Sequence, residues 1–414
     1  MKFLDELAAR RRFGMKPGLE TIRSVCAALG NPQESVRAIH VAGTDGKGAV
    51  CAILDSCLRE TGAVVGRYTS PHLVRLNERF FLNGAPMADA VLDAAAEKVA
   101  AAVRADAALA ELTFFEALTA VAFQVYAETK PDWTVLETGL GGRLDATNVC
   151  RPALTVITRI GLDHCDWLGE TVEKIAAEKA GIIKPGVPIV LGANEPSVRA
   201  VIEDRAREVG APFVSAPDLA SAAEIPATFS LAGAFNRENA VTALAALKVL
   251  LGDEQADLAK TGVANVVWPG RYQRVGSQFI VDGAHNPPAA RALAASLEEE
   301  KTKDLNLIVG FCGDKDSAAV LQILAPFVAH GYAVRTNNPR SLSAEETARQ
   351  MRSAGIDVEA MPSLASAVDA AKRSARRTLI CGSLFLAGEA LVELNAYPWG
   401  TARFDPSEAL RRVP

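Results

Sequence analysis

The sequence predicts an α/β protein: a larger domain with a mainly parallel sheet, followed by a smaller Rossmann-like layer. Short apolar runs alternate with segments of helical period along most of the 414 residues. Several runs end in glycine and polar residues, as strands do at the ligand-binding edge of parallel sheets. The length indicates two or three domains. A turn at 268–271 places a boundary between 1–268 and 269–414.

Composition narrows the classes of partner. The chain is 49% hydrophobic and 22% charged, with a net charge of -5, which is typical of a globular protein and gives no reason to expect nucleic acid. The seven cysteines are scattered without CxxC spacing, which favours reduced thiols over disulfides or zinc. No run reaches the ~18 apolar residues of a membrane helix. We therefore expect a cytoplasmic monomer without nucleic-acid or membrane partners.

The first elements precede a glycine-rich segment. Residues 1–37 predict two helices joined by a turn at 14–18, and the second helix carries an apolar face that ends at Gly30. A strand at 38–42 then leads through Gly43, Thr44, Asp45, Gly46, Lys47 and Gly48 into a helix.

Strand, glycine-rich turn, lysine and helix are typical of a phosphate-binding loop. Backbone amides and the helix N-terminus face the anion, and Lys47 adds a full charge. The spacing departs from the Walker pattern, because Val41 stands five residues before Gly46 and no hydroxyl directly follows Lys47. A glycine-rich turn without a ligand remains the alternative for the loop alone.

The helix from 50 to 60 leads to a strand and turn at 64–73, followed by polar residues at 75–79 that a solvated loop would also explain. Residues 88–128 have helical period, interrupted where Thr113 and Glu116 form a capping-box pair. The apolar run 133–137 predicts a strand that ends in Glu137, a position suited to a magnesium ligand.

A second such strand, 154–158, delivers Asp163 and His164, and a helix through Lys179 precedes a strand at 188–191. A helical segment carrying Asn239 follows. In the second domain, apolar runs predict strands at 278–282, 305–310, 332–336 and 378–381. His40 and His72 lie at strand ends, where we interpret them as structural hydrogen-bonding residues.

The ordered set of motifs resembles the folylpolyglutamate synthase and dihydrofolate synthase family, a branch of the Mur ligase superfamily. The matching stretches run in family order through nearly the whole chain: 40–49, 70–73 with 77–79, 137–148, 163–164 with 168–169, 178–181, 269–271, 282–287, 314–316 and 382–384. The resemblance implies a P-loop-type ATPase domain followed by a Rossmann-like domain.

The resemblance also implies an activity. In this family, ATP drives the joining of a pteroate or folate carboxylate to the amino group of L-glutamate, through an acyl phosphate. Whether the acceptor is dihydropteroate, a tetrahydrofolate or both stays open. Because an anion attacks an anion, lysine and magnesium must neutralise charge in the transition state.

Site residues follow from the matched positions. The nucleotide is assigned to residues 43–48, including the amides of Asp45, Gly46 and Gly48, and to Asn239, Arg271, Asp282 and His285 around the cleft. Magnesium, at two sites, is assigned to Ser70, Glu137 and His164. Lys47, Lys179 and His164 are the expected catalytic residues. Lys179 matches a lysine that is carbamylated in relatives; a surface ion pair with Glu173 or Glu178 is the alternative.

The pterin-side pocket is assigned to Thr113, Phe115, Glu116, Leu144, Asp145 and Ala146. Phe115 could stack on a flat heterocycle and Asp145 could accept from its nitrogens. Packing of Phe114 and Phe115 in the core is the alternative.

Two positions depart from the family pattern. Asp45 stands where the family has Asn, and Ala49 where it has Ser or Thr. A carboxylate near the phosphates opposes nucleotide binding unless a cation compensates. A related Mur-type ligase with another acceptor, or a nucleotide-binding protein with reduced catalysis, are therefore the competing hypotheses. A peptidoglycan ligase is disfavoured, since the segment before His40 is smaller than a domain.

Overall fold

A computed structural model describes residue 4 and residues 18–313 and 315–399. The predicted first helix lies outside this range except for Leu4, and so does Asp314 of one motif. The second predicted helix is present as α1, Glu20–Ala28. It ends, as expected, before Gly30 and Asn31, which both have positive φ.

The first sheet contains eight strands in the order β4-β3-β2-β5-β1-β6-β7-β8. Their bounds are β1 Ala38–Ala42, β2 Val65–Tyr68, β3 Phe80–Leu82, β4 Ala85–Pro86, β5 Trp133–Glu137, β6 Leu154–Ile157, β7 Ile189–Leu191 and β8 Phe213–Ser215. All neighbours from β2 to β8 pair in parallel, and only β3 and β4 add antiparallel pairs. The carboxyl ends of β1, β5 and β6 therefore meet at one edge.

Helices cover both faces of this sheet. They are α2 Lys47–Glu60, α3 Asp89–Ala105, α4 Phe114–Thr129, α5 Cys165–Leu168, α6 Val172–Ala180, α7 Pro196–Glu208, α8 Ala216–Leu219, α9 Ala234–Leu251 and α10 Asp253–Ala259. Helix α2 is buried from Gly48 to Leu58 and packs with α9 against β1. Helices α3 and α4 fill the opposite face. Burial on both faces explains the continuous apolar runs of the central strands.

The second sheet contains six strands in the order β13-β12-β11-β14-β10-β9. Its elements are β9 Gln273–Val275, β10 Phe279–Val281, α11 Pro287–Glu299, β11 Leu305–Val309, α12 Ser317–Leu324, β12 Val328–Ala333, α13 Ala344–Ser353, β13 Val358–Ala360, α14 Leu364–Ser374, β14 Thr378–Cys381 and α15 Leu384–Glu393. All pairs are parallel except β9 with β10. The predicted α/β class, with a mainly parallel sheet and a smaller Rossmann-like layer, is confirmed.

One predicted strand was misplaced. Residues 332–336 were expected to form a strand, whereas β12 begins at Val328 and ends at Ala333. His330 and Gly331 interrupt the apolar run, so the sequence did not indicate the first half of this strand. Both residues nevertheless pair in register with Asn306 and Leu307 of β11. Within the described residues, no helix is long and apolar enough to cross a membrane.

Candidate active site

The glycine-rich loop lies at the carboxyl end of β1. Gly46 has φ +82° and is the N-cap of α2, and a Cβ on it would lie 2.0 Å from Oδ1 of Asn239. Gly43 has φ +150°, and a Cβ there would lie 1.8 Å from Oγ1 of Thr158. The loop therefore requires glycine at both positions. The amides of the first turn of α2 have no helical acceptor and are suited to bind an anion.

The loop is anchored by the strand beside it. The amides of Thr44 and Asp45 donate to the carbonyl oxygen of Arg159 at 2.8 and 3.2 Å, and the hydroxyl of Thr158 donates to the carbonyl oxygen of Asp45 at 2.6 Å. The Thr44 hydroxyl donates to the carbonyl oxygen of Gly161 and accepts from its amide. The Asp45 amide, expected to face a nucleotide, is thus used by the loop itself. Gly46 and Gly48 remain the better-placed amides.

Lys47 points back across its own loop. Its Nζ donates to the carbonyl oxygens of Gly43 and Thr44, both at 3.1 Å. These acceptors are neutral, so a phosphate anion would bind the ammonium more strongly and could replace them.

Asp45 is exposed by surface area, yet surrounding protein reduces the solvation of its carboxyl and raises its pKa. Asp163 acts in the same direction, whereas Lys47, Arg159 and Lys179 lower the pKa. The unusual carboxylate therefore lies near Lys47, Arg159 and Lys179, whose positive forms partly offset its repulsion of an anion.

Glu137 ends β5 and is 3% exposed. Its Oε2 accepts from the Ser70 amide at 2.9 Å, so the structure brings these two predicted metal ligands together. Burial raises the pKa of Glu137, and Lys47, the Ser70 amide and Arg271 oppose that shift. Hydroxyl and carboxylate oxygens are the donors that Mg²⁺ prefers.

His164 lies apart from that pair. It has φ +50° at the start of α5, its side chain is 51% exposed, and its Nε2 is 3.7 Å from Oδ2 of Asp163. Among the described residues, no hydrogen bond or ion pair joins it to Ser70 or Glu137. No group of three His, Cys, Asp or Glu residues in the described ranges converges on a metal position.

Lys179 is buried, with 3% exposure, and its Nζ donates to the carbonyl oxygen of Gly43 at 2.7 Å. The alternative, a surface ion pair with Glu173 or Glu178, does not hold, since Glu178 pairs instead with Arg143. Burial, with a contribution from Lys47, lowers the pKa of Lys179 to about 7. A substantial fraction of this amine is therefore neutral near pH 7.

The second sheet contributes the opposite wall. Asp282 follows β10, and its carboxylate accepts from the amides of Tyr272 and Ala284, each at 2.7 Å. Burial lowers the pKa of Arg271, and Asp282 and Glu137 oppose the shift; the guanidinium thus lies near carboxylates of both sheets. His285 donates through Nδ1 to the Gly283 carbonyl at 2.8 Å, which leaves Nε2 as an acceptor.

Two predicted pterin-side segments meet. Thr113 and Glu116 form the expected capping box at the start of α4. A Cβ on Gly139 would lie 2.4 Å from Cζ of Phe115, so the Phe115 ring covers the loop that follows β5. Phe114 is buried, whereas Phe115 is only partly buried against the core. Leu144 is half-buried and Ala146 buried in the same loop.

Asp145 organises that loop. Its Oδ2 accepts from the amides of Gly139 and Leu140 at 2.8 and 2.9 Å, and its Oδ1 accepts from the amide of Thr147 at 3.0 Å and from the Thr147 hydroxyl. Both oxygens therefore accept hydrogen bonds from the chain itself, and acceptance from a pterin stays a prediction.

Three of the polar residues at 75–79, Asn77, Glu78 and Arg79, are buried rather than solvated, whereas Arg75 is partly exposed. Glu78 accepts from the amides of Leu73, Val74 and Arg75 at 2.8, 2.7 and 2.6 Å, and from the Tyr397 hydroxyl at 2.8 Å. Glu78 therefore fixes the turn at 73–75, which follows Ser70 in the chain.

Both histidines are hydrogen-bonded as expected, but neither ends a strand: His40 is the middle residue of β1, and His72 lies in the turn after β2. Arg79 donates to Nδ1 of His72 at 2.9 Å. Burial lowers the pKa of His40 to about 3, and its Nε2 lies 2.8 Å from Oγ1 of Thr147. Both contacts agree with a structural role.

Sequence reasoning missed Thr158 and Trp268. Thr158 directly follows β6, so the rule that selected Glu137 at the end of β5 could have found it. Trp268 lies against Gly48: a Cβ there would be 2.3 Å from Cζ2 of the indole. Nothing in the local sequence indicated that contact.

This chain is similar to known proteins in both sequence and fold. Residues 270–384 match the family model described as Mur ligase, glutamate ligase domain. The dihydrofolate synthase/folylpolyglutamate synthase of Bacillus subtilis is 39% identical over 318 residues, which cover 70% of this chain and 74% of the relative.

Two solved structures are similar over almost the whole chain. Escherichia coli FolC in complex with DHPP and ADP has a TM-score of 0.83 at 32% identity, covering 95% of this chain and 97% of that one. The bifunctional folylpolyglutamate synthase/dihydrofolate synthase of Yersinia pestis, complexed with AMPPNP and Mn ion, has a TM-score of 0.82 at 31% identity and the same coverage. The chain therefore belongs to the folylpolyglutamate synthase/dihydrofolate synthase family of ATP-dependent ligases, within the Mur ligase superfamily.

Proposed function

We propose that this protein uses ATP to join the carboxylate of dihydropteroate or a reduced folate to the amino group of L-glutamate. The observation that carries the proposal is the proximity of Lys47, Glu137 and Arg271, which come from the domains of both sheets. Lys47 and Arg271 both lower the pKa of the Glu137 carboxyl. This arrangement places cations and a carboxylate around a glycine loop suited to phosphate.

The chemistry proceeds in two displacements. A carboxylate oxygen attacks the γ-phosphorus of ATP, ADP departs, and an acyl phosphate forms. The glutamate amine then attacks the acyl carbon, loses a proton, and phosphate leaves with the C–O bond electrons. Lys47, the first-turn amides of α2 and Arg271 stabilise the negative charge that both steps concentrate.

Glu137 and Ser70 fit a magnesium ion by their hard oxygen donors, and the Ser70 amide, which donates to Oε2 of Glu137, keeps the two residues adjacent. Bound there, the ion would neutralise charge on the phosphates. With one carboxylate, the site relies on phosphate and water oxygens for its remaining ligands. His164 is proposed as a third ligand, and the carbamate proposed below for Lys179 would support a second magnesium ion.

Lys179 is proposed to be carbamylated. Its neutral amine attacks CO₂, forming a C–N bond and releasing one proton, which yields an anionic carbamate. The lowered pKa favours this reaction, because only the unprotonated amine is a nucleophile. Incubation with ¹³C-bicarbonate should give a carbamate carbon resonance that is absent from Lys179→Met; a signal equal in both proteins would contradict the assignment.

The remaining assignments are proposals of the same kind. Asn239, Asp282 and His285 are assigned to the nucleotide and glutamate side of the cleft, where closure of the two sheets would exclude water. The boundary at 268/269 is supported by the separate sheets on either side. Seven free cysteines support a reducing, cytoplasmic setting. We propose a monomer, since one chain supplies every assigned residue.

Phosphate release by the purified protein with Mg-ATP and L-glutamate tests the function, with dihydropteroate, tetrahydrofolate or no acceptor. Release with dihydropteroate indicates dihydrofolate synthase activity, and release with tetrahydrofolate the polyglutamylating activity. Absence of release with both would favour a ligase for another acceptor or, because of Asp45 and Ala49, a nucleotide-binding protein with reduced catalysis.

A further inference from the structure

Strand β2 carries a charged side chain inside the fold. Arg67 is 4% exposed, and its Nη1 lies 3.0 Å from Oδ2 of Asp55, which belongs to α2 and is 1% exposed. The other Asp55 oxygen accepts from Arg59 at 3.1 Å. Replacing buried ion pairs by apolar residues is often neutral or stabilising, so stability alone does not account for this pair.

The guanidinium lies between two aromatic rings. Its carbon is 3.9 Å from the centroid of Phe81 and 5.5 Å from that of Trp268, both within the ~6 Å range of cation–π attraction. Its Nε has no hydrogen-bond partner among the residues that the structure describes. The guanidinium of Arg67 therefore contacts aromatic rings as well as the Asp55 carboxylate.

Trp268 carries this contact to the glycine loop. Its indole fills the space beside Gly48, where a Cβ would lie 2.3 Å from Cζ2 and 2.9 Å from Cη2. The chain leading to Trp268 is tied to the same helix, because the Ser56 hydroxyl donates to the Gly262 carbonyl at 2.8 Å. Trp268 thus packs directly against the first turn of α2.

We infer that Arg67 is a positioning residue of the nucleotide site, which holds Trp268 against Gly48 and thereby fixes the first-turn amides of α2 for phosphate. Arg67 acts through Trp268 and, as a nearby positive charge, also lowers the pKa of Glu137. The inference rests on the proposed function, since it takes the glycine loop to bind ATP.

Calorimetric titration with Mg-ADP tests it. The wild type is compared with Trp268→Leu, Trp268→Phe and the double variant Asp55→Leu/Arg67→Met, which removes both buried charges together. We expect about tenfold weaker binding by Trp268→Leu and by the double variant. Trp268→Phe, which keeps an aromatic ring, should retain most of the affinity.

The control is Arg377→Met. Arg377 donates to Thr302 at 2.7 Å and to Glu300 at 3.1 Å in the second sheet's domain. Its loss should lower the thermal midpoint and leave the Mg-ADP affinity unchanged, as a merely structural role of Arg67 would also do.

Unchanged affinity in Trp268→Leu would overturn the inference, even if the double variant failed to fold. Equal affinity in a folded double variant would overturn it as well. Failure of the wild type to bind Mg-ADP would reject the proposed function, and the inference with it.

Discussion

Lys179 is a buried amine whose pKa falls from an ordinary 10.5 to about 7. Between these values the folded state binds fewer protons than the unfolded state, so the free energy of unfolding rises with pH. We expect Lys179→Met to have a higher free energy of unfolding than the wild type. The difference should be largest at or below about pH 7. The margin should shrink as pH rises toward 10.5.

Urea unfolding across this pH range, in CO₂-depleted buffer, measures that margin. A margin independent of pH would show that Lys179 keeps its proton in the fold.

Lys47 donates to carbonyl oxygens of its own loop and to no side chain among the described residues. Lys47→Ala should lower the rate of phosphate release by about 10²–10³, with the thermal midpoint nearly unchanged. Lys98→Ala, which removes an exposed lysine paired with Glu128, is the matched control. A wild-type rate in Lys47→Ala would remove this residue from the site.

Asp45 places a negative charge at the loop. Asp45→Asn should lower the KM for ATP by roughly two- to tenfold, since unit charges about 4 Å apart in water repel by ~1 kcal/mol. Initial rates at varied ATP measure the effect, with the exposed Asp218→Asn as the control. A raised KM would instead mean that Asp45 assists binding through a cation.

The loop from Gly139 to Asn148 shows what spacing reveals about an element and what it does not. The sequence placed it correctly after β5 and near Phe115. It could not reveal that the Asp145 oxygens point into the loop, because a carboxylate that binds a ligand and one that binds backbone amides look alike in sequence. Five short strands, β3, β4, β8, β9 and β13, escaped prediction for a related reason: two or three residues give no clear period.

Asp145→Ala should lower the free energy of unfolding by at least about 2 kcal/mol, because buried amides lose their acceptor. Activity should fall as well, since the loop packs on α6 beside Lys179. Chemical unfolding and phosphate release measure both. Ser363→Ala, which removes only the cap of α14, should cost about 1 kcal/mol and spare activity. A raised KM for the acceptor at unchanged stability would restore a substrate role for Asp145.

Across the whole molecule, the longer strands and the order of the motifs were predictable. The reason is that buried parallel strands are apolar runs that end in polar clusters. The meeting of Arg271 with Glu137 was expected only from the family resemblance, since the residues lie on different sheets. The burial of Arg67 and the contact of Trp268 with Gly48 were not predictable, because both depend on packing between segments distant in sequence.

A hydrogen bond from the Tyr397 hydroxyl to Glu78 joins the end of the described chain to an early turn. We expect Tyr397→Phe and Glu78→Gln each to lower the free energy of unfolding, with a coupling energy of about 1 kcal/mol between them. A double-mutant cycle from urea unfolding measures this coupling. Strict additivity would mean that the hydrogen bond contributes nothing beyond its separate partners.

The same hydrogen bond spans 319 positions, which has a consequence during synthesis. Domains tend to fold from the N-terminus as the chain emerges from the ribosome. The turn at 73–78 therefore has to wait for Tyr397, long after the strands around it have been made. In a nascent chain arrested before that residue, we expect this turn to exchange its amide hydrogens faster than it does in the finished protein.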